Sequence, residues 1–357
     1  MNQIEDNDKL LENMMNDFWK QEEIYQADTF WKGYENLNLT VLRDYGLSNF
    51  LNRPNSFGNA IARDSIIPSY IILRLNRFLG KIAYTCKKMG IKRHPFDVYD
   101  WIKDKPAGIR QLFGTLIFEI LYTIPNGNRL IELNDELIGN PLEKFEIRGK
   151  WYSLNFVKYF YRALMIEKYL QISNSVYFFE IGGGYGGQAE VLLKMFPQLR
   201  ACLTDIPPQL YVMEQYLKSL FPGEVLGYED TKNMRTIDRK VLSKKRVAIV
   251  APWALNKIQD NSFENFTNQA SFQEMSRETV KRYCDELHRL VTNGILLYEQ
   301  REGCGAVKNP VTKIDYINYL SEFDLVDDIT TLPGGHLGGD PNRPLSHNDI
   351  YVFKRKK

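Results

Sequence analysis

The most chemically pointed stretch of the chain is Glu180-Ile-Gly-Gly-Gly-Tyr-Gly-Gly187, an acid followed by a run of glycines. A strand ending in an acid, then glycine at 182, 184 and 186, then a helix, brings backbone N–H groups and a bare turn up to a bound nucleoside. A Cβ at those positions would block either the turn or the ligand. Gly182, Gly184 and Gly187 also satisfy the Gly-x-Gly-x-x-Gly pattern of dinucleotide sites. Asp205, at the end of the next expected strand, would bond ribose hydroxyls in either kind of cofactor. No Gly-Lys-Ser/Thr follows, so a phosphate-binding loop of the nucleotide-hydrolase type is excluded.

Three contextual features favour an amino-acid-bearing cofactor such as S-adenosylmethionine over a dinucleotide. Glu180 can accept a hydrogen bond from an amino group, where dinucleotide sites commonly carry a small glycine. The glycine turn lies mid-chain behind a helical region, and the sheet is expected to end in an antiparallel pair. A nicotinamide-dependent oxidoreductase acting on a nucleotide sugar and a nonenzymatic Rossmann-like binding module are the alternatives.

The elements that must position these residues follow from apolar patterning. From Ser175 onward short apolar runs alternate with helices, as parallel strands covered on both faces require. Expected strands are Val176 to Ile181, Leu199 to Asp205, Arg246 to Pro252, Phe263 to Gln269, Gly294 to Gln300, Phe323 to Thr330 and Asp349 to Lys354. Expected helices between them are Gln188 to Phe196, Gln209 to Phe221 and Arg277 to Val291, preceded by a long periodic helix from Ser153 to Leu170. Upstream, the periodicity predicts helices over Ile66 to Met89 and Ile109 to Tyr122 and little strand character. The chain therefore divides at about residue 150 into a helical domain, 1–150, and a cofactor-binding domain, 151–357.

Composition narrows the partners. With 46 basic and 44 acidic residues the net charge is only +2, so no global field draws the chain to nucleic acid or an anionic membrane. No apolar run is long enough to span a bilayer, and the acidic amino terminus does not resemble a secretory signal, so a cytoplasmic location is expected. Cys86, Cys202, Cys284 and Cys304 are far apart, which argues against a disulfide framework or a zinc site. No spaced carboxylate cluster points to another metal, and none is expected.

Asn268-Gln-Ala-Ser-Phe-Gln-Glu-Met275, together with Gly139-Asn-Pro141, the glycine stretch and Thr204-Asp-Ile-Pro207, resembles the bacterial sugar O-methyltransferase family. This is a class I S-adenosylmethionine-dependent group often associated with surface-polysaccharide biosynthesis. The resemblance covers about residues 138 to 300 well and the flanks weakly. It implies S-adenosylmethionine as methyl donor and a saccharide or nucleotide-sugar acceptor. The implied fold is α/β: a Rossmann-like, mainly parallel sheet of seven strands with an antiparallel last strand, preceded by the helical domain. That domain would cover the acceptor cleft or make a homo-oligomer contact. Carried over, Glu180, Gly182, Gly184 and Gly186 would line the methionine and ribose, Asp205 would hold the ribose diol, and Ile206 would lie against adenine. Ala251 to Trp253, at the end of the third strand, would flank the same ring. At the fourth strand, where the fold often has Asp, this chain offers Glu264 and Asn265.

Methyl transfer to oxygen needs alignment of donor and acceptor and a base for the hydroxyl proton. Acceptor-side groups should follow the carboxyl ends of the strands. That selects Asn268 and Gln269, whose amides can meet cofactor or sugar hydroxyls, then Ser271, Glu274, Glu299 and Arg301 for the substrate. Ser271-Phe-Gln-Glu274 also has the spacing of a helix capping box, which is the commoner role for those two. The segment 332–349 contains two of the four histidines. His336 and His347 are the candidate bases, with Asp340 as partner. His94, in a basic turn, and His288, within a helix, suit the task less. The early aromatics Phe18, Trp19, Tyr25, Phe30, Trp31 and Tyr34 would stack on sugars or, more ordinarily, pack a helix pair.

Overall fold

Two helices open the chain, α1 (Asp8–Phe18) and α2 (Thr29–Tyr45), as seen in a computed structural model. It describes residues 4–22, 25, 29–52, 57, 118, 121–122, 124–142, 144–300, 306–331 and 348–356. The helix expected over residues 66–89, His94, Cys86 and Cys304 lie outside the described residues, as does most of the helix expected over 109–122. The side chains of Phe30, Trp31 and Tyr34 also lie outside them.

A hairpin follows, β1 (Lys144–Ile147) and β2 (Lys150–Ser153). It falls across the expected boundary at residue 150, in a region read as having little strand character. Phe145 and Ile147 are buried while Lys144 and Glu146 are exposed, a two-residue period. Arg148 and Gly149 both have positive φ, 51° and 80°, as a tight two-residue hairpin turn requires. Ser153 then caps α3 (Leu154–Leu170), its hydroxyl accepting from the Phe156 N–H at 3.1 Å.

The remainder alternates strand and helix. The sequence runs β3 (Tyr177–Ile181), α4 (Gly187–Met195), β4 (Arg200–Thr204), α5 (Gln209–Leu220), β5 (Val225–Leu226), α6 (Tyr228–Lys232), α7 (Arg239–Leu242) and β6 (Val247–Ile249). It continues through β7 (Phe263–Gln269), α8 (Arg277–Leu290), β8 (Val291–Gln300), α9 (Lys313–Tyr319), β9 (Phe323–Thr331) and β10 (Asn348–Arg355). The strand order is β5-β6-β4-β3-β7-β8-β10-β9. Pairing is parallel from β5 to β8 and antiparallel where β10 meets β8 and β9.

This is the expected Rossmann-like class I sheet with its antiparallel end, and all seven expected strands are present. The sheet has eight strands rather than seven because Val225–Leu226 adds a two-residue edge, too short to leave a periodic pattern. The polar stretch before β6, residues 230–245, contains α7 and the end of α6.

Apolar layers cover both faces. One joins α1 and α3 to α5 with Phe178 and Leu203 of the sheet; the other packs α8 and α9 on Phe179, Phe266 and Leu297. Phe178 and Phe179 are both fully buried, one in each layer, so the strand carries apolar residues on both faces rather than alternating. Ile4, Leu10 and Met14 belong to the first layer, so the amino-terminal helices share a core with the sheet. Cys202 and Cys284 are buried free thiols, and burial pushes both up in pKa. Among the described residues no helix is long and apolar enough to cross a membrane.

Candidate cofactor site

The glycine turn leaves the carboxyl end of β3, the sheet's central parallel strand. Gly182, Gly184 and Gly186 all have positive φ, 74°, 58° and 92°, a region costly for side-chain-bearing residues. At Gly182 a Cβ would also collide with the Ser271 side chain, while at Gly184 it would meet open space. Gly184 is therefore the open approach for a ligand, and Gly182 is a packing requirement as well. The Gly182 N–H donates to the Thr204 carbonyl at 2.8 Å, tying the turn to β4. Gly182→Ala is expected to cost about 1–3 kcal/mol of stability through strain and overpacking, read from denaturant midpoints. Gly184→Ala should carry the strain without the collision and cost less.

Asp205 locks the turn from the neighbouring strand. Its Oδ2 accepts from the Gly184 N–H at 2.8 Å and its Oδ1 from the Ile206 N–H at 2.7 Å. Burial raises its pKa to about 7 against the opposing pull of those two bonds. Each oxygen retains a lone pair for a diol.

Glu180 lies one residue inside the end of β3, 1% exposed, and neither carboxylate oxygen has a hydrogen-bond partner. Burial lifts its pKa to about 8, helped by repulsion from Asp205 and opposed by the Arg162 guanidinium. A buried, unpartnered carboxylate is costly and calls for a donor. Register places Thr267 beside Glu180 and Tyr298 beside Gln269, so these side chains share one face of the sheet. Gln269 donates to the Thr267 hydroxyl at 2.5 Å, and its own Oε1 is buried and unpartnered. On this face α3 lays the Arg162 guanidinium over the Tyr298 ring, 4.4 Å from its centroid.

Arg162 and Lys158 were missed by the sequence reading although both are buried at 3% or less. The signal was present: Asn155, Lys158 and Arg162 recur at three- and four-residue spacing in a stretch, 154–166, that is otherwise apolar. That places them on one stripe.

Asn268 has a different role from the one expected. Its amide nitrogen donates to the Ile181 carbonyl at 2.8 Å, and its oxygen accepts from the N–H groups of Ser271 and Phe272 at 3.0 and 2.9 Å. It joins the end of β3 to the turn after β7, where Ala270 is held at φ 67°. It thus shapes the site rather than presenting a free amide. Ser271 packs on Gly182 and makes no capping bond; Ser276 caps α8, accepting from the Thr279 N–H at 3.1 Å. The capping-box reading of Ser271 and Glu274 is therefore wrong. The helix begins after Met275, beyond a short turn at Phe272–Glu274.

Glu264 and Asn265 sit at the amino end of the sheet. Glu264 accepts from the Tyr177 N–H at 2.7 Å and pairs with Arg239 at 2.8 Å, while Asn265 bonds Ser175 at 2.5 Å. They stand at the opposite end of the strands from the glycine turn. Glu299 is buried beside Tyr316, in the layer opposite Glu180, and burial raises its pKa well above the carboxylate range. Glu274 is near enough to Glu299 to add to that rise. His288 is structural: its Nε2 lies 2.9 Å from the Tyr319 carbonyl oxygen. Arg301, His336, Asp340 and His347 lie outside the described residues. No group of three or more His, Cys, Asp or Glu among the described residues could hold a metal ion.

Ile206 and Trp253 are half-buried and follow the carboxyl ends of the adjacent strands β4 and β6. These residues gather at the carboxyl ends of the parallel strands, where sheets of this kind take ligands.

No protein-family model matches the chain, and no curated protein matches it. Among solved structures it is similar to mitomycin 7-O-methyltransferase MmcR, at 13% identity over 56% of this chain and 55% of that one, with a TM-score of 0.34. It is also similar to the pyocyanin biosynthetic protein PhzM, at 14% identity over 67% and 61%, TM-score 0.38. A third is magnesium protoporphyrin IX methyltransferase from Synechocystis PCC 6803 with bound SAM, at 11% identity over 56% and 81%, TM-score 0.37. The match thus takes in less than two thirds of the length of MmcR and PhzM. At these identities the likeness concerns the fold alone, and a fold does not specify a reaction.

Proposed function

We propose that the chain is an S-adenosylmethionine-dependent O-methyltransferase that passes a methyl group to a sugar hydroxyl. The observation that carries the cofactor is Glu180, buried with both oxygens without a hydrogen-bond partner beside the glycine turn. Two carboxylates oppose the pyrophosphate dianion that a dinucleotide would bring there. A cofactor bearing an ammonium and a sulfonium instead favours the ionised form of Glu180. Glu180 would accept from the ammonium, Asp205 from the ribose diol, and Ile206 and Trp253 would enclose adenine.

When bound, the cofactor supplies an electrophilic methyl group on sulfur for in-line attack by an oxygen nucleophile. The described residues then have three tasks: Glu180 and Asp205 orient, the Asn268 turn fixes the floor, and Gln269 offers an unpartnered amide oxygen on the acceptor side. His336 or His347, oriented by Asp340, would take the hydroxyl proton, and Arg301 would help hold the acceptor. The saccharide class rests on the motif from Asn268 to Met275, and so does a role in surface-glycan assembly. The reading is tested by incubating the protein with methyl-labelled S-adenosylmethionine and a panel of nucleotide sugars and oligosaccharides. Label in an alkali-stable sugar ether supports it. Label only in non-sugar hydroxyl compounds overturns the sugar assignment.

The same two carboxylates give stability a pH dependence. Folded values of about 8 and about 7 exceed the ordinary 4.5 and 3.8. Between those limits the folded protein therefore holds more protons than the unfolded chain. Their contribution is complete below the ordinary values and is lost as pH rises through the folded ones. The melting temperature of the ligand-free protein, measured against Glu180→Gln across that window, should fall more steeply with pH than the variant's. S-adenosylhomocysteine affinity should rise with pH over the same window and release protons to the buffer.

A further inference from the structure

The amino-terminal segment crosses the top of the sheet on the nucleoside side. The Asn7 N–H donates to the Tyr211 hydroxyl, in the first turn of α5, at 2.7 Å. Ten residues on, Asp17 accepts from the Tyr228 hydroxyl at 2.8 Å and pairs with Lys232 at 3.3 Å, both on α6. The fully buried Phe18 ring lies 6.0 Å from Trp253, and Tyr228 meets the same indole edge-on at 6.4 Å. Beyond it Glu22 pairs with Arg282 of α8 at 3.5 Å, and the Arg282 guanidinium stacks on Tyr25, 4.4 Å from the ring centroid.

These anchors belong to elements that follow β4, β5, β6 and β7 in turn, so the segment runs along the carboxyl ends of these strands and past Trp253. Tyr283, next to Arg282, is near enough to both Asp205 and Tyr25 for their charges to act on it. The pairs span more than 200 residues of sequence, so the segment is held by tertiary contacts and not by its neighbours in the chain.

From this placement we propose that residues 7–22 form a strap that closes the nucleoside half of the cofactor site. Asp17 is its latch, and Phe18 is the positioning residue that holds the Trp253 ring as a wall for the purine. This rests on the reading of the site given above and assigns the segment to the cofactor rather than to the acceptor cleft or to a dimer contact. The strap must lift for the nucleoside to enter or leave. Unlatching removes the Lys232 pair, which adds little to stability, and the part-buried bond from the Tyr228 hydroxyl, so release accelerates together with some loss of stability.

The test uses the full-length protein. Lys20 is well exposed, so trypsin cleavage after it reports strap opening. Saturating S-adenosylhomocysteine, or adenosine alone, should slow that cleavage at least tenfold, and methionine alone should not. In Asp17→Ala and Phe18→Ala the S-adenosylhomocysteine dissociation rate, followed by stopped-flow tryptophan fluorescence, should rise about tenfold or more, and in Asp17→Ala by a larger factor than the global unfolding rate. Wild-type protein that binds S-adenosylhomocysteine in calorimetry, but with unchanged cleavage at Lys20 and unchanged release in Asp17→Ala, overturns the strap and leaves the cofactor reading intact. Absence of binding by the wild type overturns the cofactor reading itself.

Discussion

Glu180→Gln should weaken binding of S-adenosylhomocysteine between about tenfold and about a hundredfold without lowering the stability of the ligand-free protein. The loss corresponds to one charge-assisted hydrogen bond, about 1.5–3 kcal/mol. Stability should hold because glutamine reproduces the shape of the protonated acid. With a pKa of about 8, that is the form Glu180 mainly takes at neutral pH in the empty site. The separation of the two effects is the informative part. A carboxylate serving the fold would lose stability with its charge, whereas one kept for a cationic ligand loses affinity alone. Equilibrium unfolding and calorimetry on the same preparation measure both, and a fall in stability with unchanged affinity would reassign Glu180 to the core.

The second large effect is expected at Asn268, in the opposite pattern. Asn268→Asp keeps an acceptor for the Ser271 and Phe272 N–H groups but turns an oxygen toward the Ile181 carbonyl, where the amide donated. It also introduces a carboxylate at a fully buried position. The cost should be about 3 kcal/mol or more, seen as a lower denaturant midpoint, with cofactor affinity falling as well because the turn after β3 is no longer tied down. Asn268→Ala removes three bonds without adding charge, so it should destabilise less than the aspartate. Equal stability of wild type and Asn268→Asp would mean that the turn is held by other contacts.

These two residues also illustrate what the sequence made legible. Glu180 and the glycines could be read because their types are demanded by backbone geometry and ligand approach, and such demands are local. The parallel strands β3, β4, β6 and β8 were legible for a related reason, since strands buried on both faces carry mainly apolar residues on both. β7 was placed at its observed bounds even though Glu264 and Asn265 interrupt its apolar run, because the alternation of strand and helix required a strand there. Asn268 was expected to offer its amide to cofactor or sugar, and no local pattern showed that the backbone already takes it up. Its three bonds run to Ile181, Ser271 and Phe272, and the bond to Ile181 spans 87 residues.

Ser271 was misread because a capping-box spacing carries no information about where the helix actually begins, and Ser276 provides an equally good cap five residues later. Arg162 and Lys158 were missed because a cation on a helix ordinarily points to solvent. Only the packing of α3 on the sheet shows that this stripe faces inward. The strap was read as aromatic packing in a helix pair, which captures the burial of Phe18 but not the element it packs against. No local pattern connects Asp17 with Tyr228.

Calorimetric titration of the full-length protein with S-adenosylhomocysteine and, separately, with NAD tests the central claim most directly. Saturable binding of S-adenosylhomocysteine, accompanied by proton release between about pH 6 and about pH 8 and with no heat from NAD, is the expected result. Binding of NAD alone, or of neither ligand, would contradict the assignment of the Glu180 site to a cationic, methyl-bearing cofactor.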